Sequence, residues 1–266
     1  MKILFSDFDG TLIEHNQTIT PRNLEMLETL HQQGHLIVIC TGRNIKEFQA
    51  GLEICAVPFD YAVLNNGGHI INRHYETLYE KVIDKTIGID ILNHTTQYKG
   101  LWSYFCDGEE TYGYKDGYTY DHTLGNKKVD KDFMALYQEA RSFQIIAFNQ
   151  DDEGLYDTLH CFDYIRQHYS DQVEVYLNTY YVDVVPKGCS KGTGMQELLN
   201  LIDENIEKVY AIGDSYNDLS MIEEADYGYT FKHADEDIKQ TTDLHVNYVY
   251  EVIEKMLGGN DDELER

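Results

Sequence analysis

The sequence predicts an α/β protein in which a doubly wound parallel sheet is interrupted by an inserted α+β region. Three observations predict this: short apolar runs that end in turn residues, polar residues directly after those runs, and a middle region of alternating polar and aromatic residues. At 266 residues the chain is long enough for two moderate domains, or for one domain with a large insertion.

The apolar runs have the pattern of strands that are buried on both faces. They occupy residues 3–5, 36–39, 61–64 and 209–212. Such runs are typical of parallel strands covered by helices on both sides. We therefore expect these four strands to pair in one parallel sheet.

The segment between the first two strands carries the signals of a helix. Thr20 is an N-cap residue, Pro21 occupies the first helical position, and Gly34 marks the end. Its apolar face is formed by Leu24, Leu27 and Leu30. Strand, helix and strand together predict a crossover unit.

The middle of the chain has a different pattern. Predicted helices span 86–97 and 155–168, and predicted strands span 101–105, 110–114, 173–177 and 181–185. Alternating tyrosines near residues 112–120 favour antiparallel ribbons. We therefore expect a catalytic core formed by residues 1–82 and 186–266, and an α+β domain at 83–185.

Composition excludes several classes of partner. With 21 basic and 47 acidic residues, the formal charge is -26. Such a surface repels nucleic acid and anionic lipid, so neither a nucleic-acid nor a membrane partner is expected. The five cysteines include no Cys-x-x-Cys pair, and no run has the length of a membrane span, which favours a cytoplasmic location. An anionic substrate would need local positive charge from a metal, a lysine or helix amides.

Polar residues follow each of the four predicted strands. They are Asp7 and Asp9, then Thr41-Gly42-Arg43, then Asn65-Asn66-Gly67-Gly68, then Gly213-Asp214. Because the carboxyl ends of parallel strands meet at one edge of the sheet, a ligand crevice is expected there. Residues 7 and 214 are then neighbours despite their separation in the chain.

The acidic residues at this edge predict a cation site. An extended backbone points the carboxylates of Asp7 and Asp9 in the same direction, and Asp214 and Asp218 would join them. Two like charges 4 Å apart repel by roughly 4 kcal/mol at an effective dielectric of about 20, so the cluster needs a cation or protons. Oxygen ligands without histidine or thiolate favour Mg²⁺.

Four ordered motifs resemble those of the haloacid dehalogenase superfamily. They are Asp7-x-Asp9-Gly10-Thr11, Thr41-Gly42-Arg43, Lys191, and Gly213-Asp214-Ser215-Tyr216-Asn217-Asp218. The insertion between the second and third motifs resembles the type-two (C2) cap. The phrases Leu64-Asn65-Asn66-Gly67 and Pro186-Lys187-Gly188-Cys189-Ser190-Lys191-Gly192 resemble the Cof-type branch, subfamily IIB.

The resemblance implies a set of roles for these residues. Asp7 would be the nucleophile that forms an aspartyl phosphate, and Asp9 the general acid and base. Thr41, Gly42, Lys191 and Asn217 would bind the phosphate, and Lys187 is the competing lysine. The Mg²⁺ ligands would be Asp7, Asp9 and Asp214, while Asp218 would bind through metal water or hold Lys191.

The resemblance also implies an activity: Mg²⁺-dependent hydrolysis of small phosphate monoesters, such as sugar phosphates or related cytosolic metabolites. Two alternatives stay open, a phosphomutase on the same fold and a noncatalytic regulatory or binding protein. A mutase would need basic residues in the cap, where the only arginines are Arg141 and Arg166. Asn66 stands either in a tight turn or in contact with substrate.

Overall fold

The computed structural model describes most of the chain and divides it into two compact units. The described residues are 1–13, 18–108, 110–122, 127–150, 156–178 and 181–258. The first unit comprises Met1–Thr41, Phe48–Tyr79 and Ser190–Arg266, and the second comprises Gly42–Glu47 and Glu80–Cys189.

The elements alternate between strands and helices at both ends of the chain and are strand-rich in the middle. The strands are β1 (Lys2–Asp7), β2 (Leu36–Cys40), β3 (Tyr61–Leu64), β4 (His69–Asn72), β5 (Thr77–Glu80), β6 (Leu101–Cys106), β7 (Thr111–Lys115), β8 (Tyr118–Asp121), β9 (Lys127–Val129), β10 (Ile145–Gln150), β11 (Val173–Asn178), β12 (Tyr181–Pro186), β13 (Lys208–Ile212), β14 (Tyr227–Phe231) and β15 (His245–Val246). The helices are α1 (Pro21–Gln32), α2 (Ile45–Cys55), α3 (Lys85–Thr95), α4 (Phe133–Glu139), α5 (Tyr156–Tyr169), α6 (Lys191–Leu201), α7 (Leu219–Glu224), α8 (Glu236–Lys239) and α9 (Val249–Gly258).

The first unit is built on an eight-stranded sheet in the order β15-β14-β13-β1-β2-β3-β4-β5. The strands from β15 to β3 pair in parallel, and β4 pairs with β3 antiparallel. The four predicted strands correspond to β1, β2, β3 and β13, which lie next to one another. The predicted doubly wound parallel sheet is therefore confirmed.

The strands of the first sheet are apolar on both faces, which favours burial of the sheet beneath helices. Residues Ile3, Leu4 and Phe5 of β1 are fully buried. Ile3 and Phe5 pack with Met195 and Leu198 of α6. Helix α1 in turn packs against α9. Asp7 stands at the carboxyl end of β1, where ligands bind in open α/β sheets.

Helix α1 begins and ends where the sequence signals predict. The Thr20 hydroxyl accepts a hydrogen bond from the amide of Asn23, and Pro21 is the first helical residue. Gly34 follows the helix with φ +79°, a left-handed conformation that favours glycine. Leu27 and Leu30 of the predicted apolar face are fully buried, whereas Leu24 is only partly buried and Met26 is buried in addition.

The second unit is built on a seven-stranded antiparallel sheet in the order β11-β12-β10-β6-β7-β8-β9. Helices α3, α4 and α5 contribute Ile91, Phe133 and Ile165 to one core with strand residues such as Phe105 and Ile146. The inserted α+β region predicted from the sequence is confirmed. The first residue of the predicted helix at 155–168 lies outside the described residues, and α5 begins at Tyr156.

No helix among the described residues is both long enough and apolar enough to cross a membrane.

Candidate active site

Three carboxylates meet at the carboxyl edge of the first sheet. Asp7 is the last residue of β1, and Asp214 follows β13, which pairs with β1 in the register Ser6 to Ile212. Asp218 ends a single helical turn that begins at Tyr216. Asp7, Asp214 and Asp218 each place one oxygen within 4.8 Å of the others. The structure thus brings together residues that are more than 200 positions apart, as the strand-end pattern predicts.

Lys191 contacts two of these carboxylates. It is the first residue of α6, and Ser190 caps that helix through a reciprocal hydrogen-bonded pair with Thr193. Its Nζ lies 2.6 Å from Oδ1 of Asp7 and 2.6 Å from Oδ1 of Asp218, and its side chain is 1% exposed. The alternative lysine, Lys187, pairs with Glu174 instead, at 2.9 Å. Of the two lysines, Lys191 is the one beside Asp7.

The carboxylate cluster carries more negative charge than Lys191 neutralises. Burial raises the pKa of Asp7 well above its usual value, and repulsion from Asp218 and Asp214 adds to this rise against the opposing effect of Lys191. Burial, followed by repulsion from Asp218, also raises the pKa of Asp214. For Lys191, burial opposes the charged form, but the Asp218 and Asp7 carboxylates outweigh it and raise its pKa. A further cation at this position would be stabilised.

Asp218 organises the loop that carries Asp214. Its Oδ2 accepts hydrogen bonds from the backbone amides of Asp214 at 3.0 Å and Ser215 at 2.9 Å, while its Oδ1 accepts from Lys191. A Cβ on Gly213 would lie 2.4 Å from Cβ of Asp218, so the close approach of this loop requires glycine. The side chain of Asp218 is fully buried.

Thr11 is a site residue whose role the sequence did not reveal. Its hydroxyl donates a hydrogen bond to Oδ1 of Asp214 at 2.9 Å, which orients that carboxylate. Gly10 leaves the necessary space, because a Cβ there would lie 2.7 Å from Oδ2 of Asp214. Thr11 belongs to the first motif, but its partner is 203 residues away, and no local signal identifies it.

Asp9 lies outside the group of three carboxylates. Its side chain is exposed, and its backbone forms an isolated bridge with Ile13. The turn between them is closed by the amide of Gly10, which donates to the carbonyl of Ile13 at 2.8 Å.

The loop after β3 contacts both Thr41 and the fourth motif. The amide of Asn66 donates to the carbonyl of Thr41 at 3.1 Å, and the amide of Thr41 donates to the carbonyl of Val63 at 2.9 Å. Nδ2 of Asn217 donates to Oδ1 of Asn66 at 3.0 Å. Asn66 is fully buried, with φ +50°, so it stands in a tight turn whose left-handed backbone asparagine tolerates.

Close backbone approach fixes the position of Lys191. A Cβ on Gly67 would lie 2.0 Å from the carbonyl oxygen of Ser190, and one on Gly192 would lie 2.4 Å from the carbonyl oxygen of Ser220. The hydroxyl of Ser220 accepts a hydrogen bond from the amide of Gly192 at 3.0 Å. The start of α6 is thus held between the loop after β3 and helix α7.

The group of carboxylates fits a hard cation. Oδ2 of Asp7 is buried, and among the described residues no hydrogen bond reaches it. Asp7 and Asp214 have raised pKa values that a cation would reverse, and the ligand atoms are all carboxylate oxygens. This donor set favours Mg²⁺ over softer metals. Lys191 places one buried ammonium against this group of carboxylates.

The chain is similar over nearly its whole length to proteins named as phosphatases or putative phosphatases. It is 25% identical over 246 residues to the putative phosphatase YkrA of Bacillus subtilis, covering 91% of each chain. It is 24% identical over 300 residues to the 5-amino-6-(5-phospho-D-ribitylamino)uracil phosphatase YwtE of the same organism, covering 97% of this chain and 99% of that protein.

A solved structure and a family model agree with these relatives. The solved structure of a subclass IIB sugar phosphatase of the haloacid dehalogenase superfamily, BT4131, superposes with a TM-score of 0.76 at 20% identity, covering 97% of this chain and 99% of that chain. The model of the haloacid dehalogenase-like hydrolases matches residues 4–252. The resemblance of the four motifs to the haloacid dehalogenase superfamily is therefore confirmed. The chain belongs to the haloacid dehalogenase-like hydrolase family.

Proposed function

We propose that this phosphatase hydrolyses small phosphate monoesters, with Mg²⁺, through a phosphoryl intermediate on Asp7. The observation that carries the proposal is the buried contact of Lys191 with both Asp7 and Asp218 at 2.6 Å, beside Asp214. An uncompensated buried ammonium or carboxylate is costly, so a fold that keeps this group of charges uses them for chemistry or for ion binding.

Asp7 is proposed as the nucleophile. Oδ1 of Asp7 accepts a hydrogen bond from Lys191, whereas no hydrogen bond from the described residues reaches Oδ2 of Asp7. The Asp7 carboxylate would attack phosphorus, the bond from phosphorus to the ester oxygen would break, and the leaving alcohol would take a proton from Asp9. Water would then attack the aspartyl phosphate, give its proton to Asp9, and release inorganic phosphate and free Asp7.

Mg²⁺ is proposed to be held by Asp7 and Asp214 together with Asp9, which would contribute its backbone carbonyl. When bound, the ion would supply charge neutralisation at the phosphoryl oxygens. Asp218 is proposed to act mainly through Lys191, because its oxygens already accept hydrogen bonds from that lysine and from two backbone amides. Thr11 would keep Asp214 in the orientation that the ion requires.

The phosphate contacts are assigned to four residues. Lys191 would contribute charge, the Thr41 hydroxyl and the Gly42 amide would donate hydrogen bonds, and Asn217 would orient the loop. Asn66 is proposed to act through Asn217, because it is fully buried and accepts a hydrogen bond from it. Such local donors offset the formal charge of -26, which otherwise repels an anionic ester.

Sugar phosphates and related metabolites are the proposed substrate class. The names of two relatives support it: one acts on a phosphoribityl compound, and the other is a sugar phosphatase. Residues 83–185 are proposed as the cap domain that selects the substrate, and residues 1–82 and 186–266 as the catalytic core. A cytoplasmic location is also proposed, because all five cysteines are free thiols and all are buried.

Phosphate release from a panel of sugar phosphates, nucleotides and phosphorylated cofactors tests this proposal. Native protein should release phosphate with Mg²⁺ and not with EDTA, and Asp7→Asn should abolish release. Asp163→Asn, a matched change on an exposed position of α5, should keep native activity. Release that survives both EDTA and Asp7→Asn would refute the mechanism.

A further inference from the structure

The chain passes from the first unit to the second directly after Thr41, one of the proposed phosphate-binding residues. Residues Gly42–Glu47 belong to the second unit, and the chain returns to the first unit at Phe48. Helix α2, Ile45–Cys55, therefore begins in one unit and continues in the other. The backbone that presents the proposed Gly42 amide is consequently held by contacts with the insertion.

Asn44 caps the start of α2. Its Oδ1 accepts hydrogen bonds from the amides of Lys46 at 3.0 Å and Glu47 at 3.1 Å. Glu47 returns the interaction, since its Oε2 accepts from the amide of Asn44 at 3.3 Å. This reciprocal cap fixes the backbone immediately after Gly42 and Arg43. Arg43 adds a hydrogen bond to the carbonyl of Glu47 at 3.0 Å.

The same side chain of Asn44 also reaches the sheet of the insertion. Its Nδ2 donates to Oγ1 of Thr111 on β7 at 2.7 Å, and the two residues are 2% and 5% exposed. The neighbouring contacts, Lys46 with Glu110 at 2.7 Å and Glu47 with His122 at 3.2 Å, are more exposed. Exposed ion pairs contribute little to stability. Removing one partner of a buried hydrogen bond costs more, because the other polar group is then left buried without a partner.

We propose that Asn44 is a positioning residue that couples phosphate binding to the insertion through Thr111. The inference rests on the proposed function, in which the Gly42 amide binds the phosphate. Asn44 does not touch the substrate. It holds the Gly42 turn through its cap on α2, and Thr111 keeps the Asn44 side chain in the capping orientation. Phosphate affinity therefore depends on a hydroxyl that lies on strand β7.

A set of threonine variants separates this role from general stability. Thr111→Val removes the acceptor while keeping the shape of the side chain, and Thr111→Ser restores it. Thr119→Val is the matched control, because Thr119 is also 5% exposed and lies on the neighbouring strand β8. Two properties are measured in each protein: the affinity for inorganic phosphate with Mg²⁺, and the hydrogen exchange of the peptide spanning residues 42–47.

We expect Thr111→Val to weaken phosphate binding about three- to tenfold, the loss typical of one hydrogen bond. We also expect faster hydrogen exchange at residues 42–47 in this variant. Thr111→Ser and Thr119→Val should resemble the native protein in both measurements. The expected kinetic signature is a change in KM for the ester that the Ser variant rescues.

Two results would overturn this inference and leave the proposed function intact. One is unchanged phosphate affinity in Thr111→Val, even with faster exchange, and the other is an equal loss of affinity in Thr119→Val. If the native protein itself fails to bind phosphate with Mg²⁺, the proposed function fails and this inference fails with it. The native measurement thus distinguishes the two failures.

Discussion

The Nζ of Lys191 and the Oδ1 of Asp7 are 2.6 Å apart, and both side chains are almost completely buried. Lys191 is the first residue of a helix, and Asp7 is the last residue of a strand 184 positions earlier. An ammonium at a helix N-terminus opposes the macrodipole, so this placement is unfavourable unless anions lie beside it. The carboxylates of Asp7 and Asp218 are those anions, and we propose a phosphate as a third.

Replacing Lys191 is expected to cost both stability and activity. Lys191→Met leaves two buried carboxylates without their cation, and we expect the free energy of unfolding without Mg²⁺ to fall by about 3–5 kcal/mol. Lys187→Met is the control, because Lys187 is half exposed and pairs with Glu174, so we expect a change of about 1 kcal/mol or less. Denaturant titration of both variants in EDTA checks this. Equal effects from the two substitutions would contradict the assignment of Lys191.

Magnesium is expected to stabilise the folded chain through Asp214. If Mg²⁺ binds only the folded state, a concentration about 100 times Kd raises the free energy of unfolding by about 2.7 kcal/mol. Asp214→Asn should remove most of this gain, and Asp163→Asn should retain it. Thermal unfolding with Mg²⁺ and with EDTA measures the difference. A gain of the same size in Asp214→Asn would place the ion elsewhere.

Gly67 is expected to be far more sensitive to alanine than Gly34. Both have positive φ, +98° and +79°, but a Cβ on Gly67 would lie 2.0 Å from the carbonyl oxygen of Ser190, whereas nothing lies within 4 Å at Gly34. We expect Gly34→Ala to lower the free energy of unfolding by about 1 kcal/mol, because of backbone strain. We expect Gly67→Ala to lower it by about 3 kcal/mol or more, because the added Cβ also overlaps the backbone of Ser190. Gly67→Ala should also reduce phosphate release, because Ser190 caps the helix of Lys191. Similar unfolding free energies and activities for the two variants would refute this explanation.

His94 in the insertion is expected to make stability depend on pH. Burial, followed by the nearby His160 and His168, lowers the pKa of His94 below its ordinary 6.5, and its ring stacks on Tyr164 at 3.7 Å. The folded state therefore binds fewer protons than the unfolded state. The resulting stability is present above the unfolded pKa and is lost as the pH falls.

The midpoint of thermal unfolding should accordingly drop between about pH 7.5 and about pH 5.5. His94→Gln should lower the midpoint at the higher pH and flatten its dependence on pH. His74→Gln is the control, because this histidine is exposed on a turn of the first unit. If His94→Gln and the native protein lose stability equally on acidification, His94 is not the source of the effect.

The features that depend on local signals could be predicted from the sequence alone. Residues 3–5 and 209–212 have the composition of doubly covered strands, and the strand-end rule then places Asp7 beside Asp214. Ser190 marks the start of α6, which located Lys191. These inferences succeed because caps, periodicity and strand ends are properties of neighbouring residues.

Other features depend on partners that are remote in the chain. Strand β10, Ile145–Gln150, lies within the second sheet but was not predicted, since no glycine or proline bounds its short apolar run. The hydrogen bonds from Thr11 to Asp214 and from Asn44 to Thr111 span 203 and 67 residues. A hydroxyl or amide has many possible partners, and only the tertiary structure identifies the one it uses.

The most direct test of the account is detection of the phosphoryl group on Asp7. Native protein is mixed with Mg²⁺ and the best ester from the panel, quenched in acid within one turnover, digested, and analysed by mass spectrometry. We expect the mass of one phosphoryl group on the peptide containing Asp7, and none in Asp7→Asn. Rapid phosphate release with no modified peptide, or a phosphoryl group on another residue, would contradict the account.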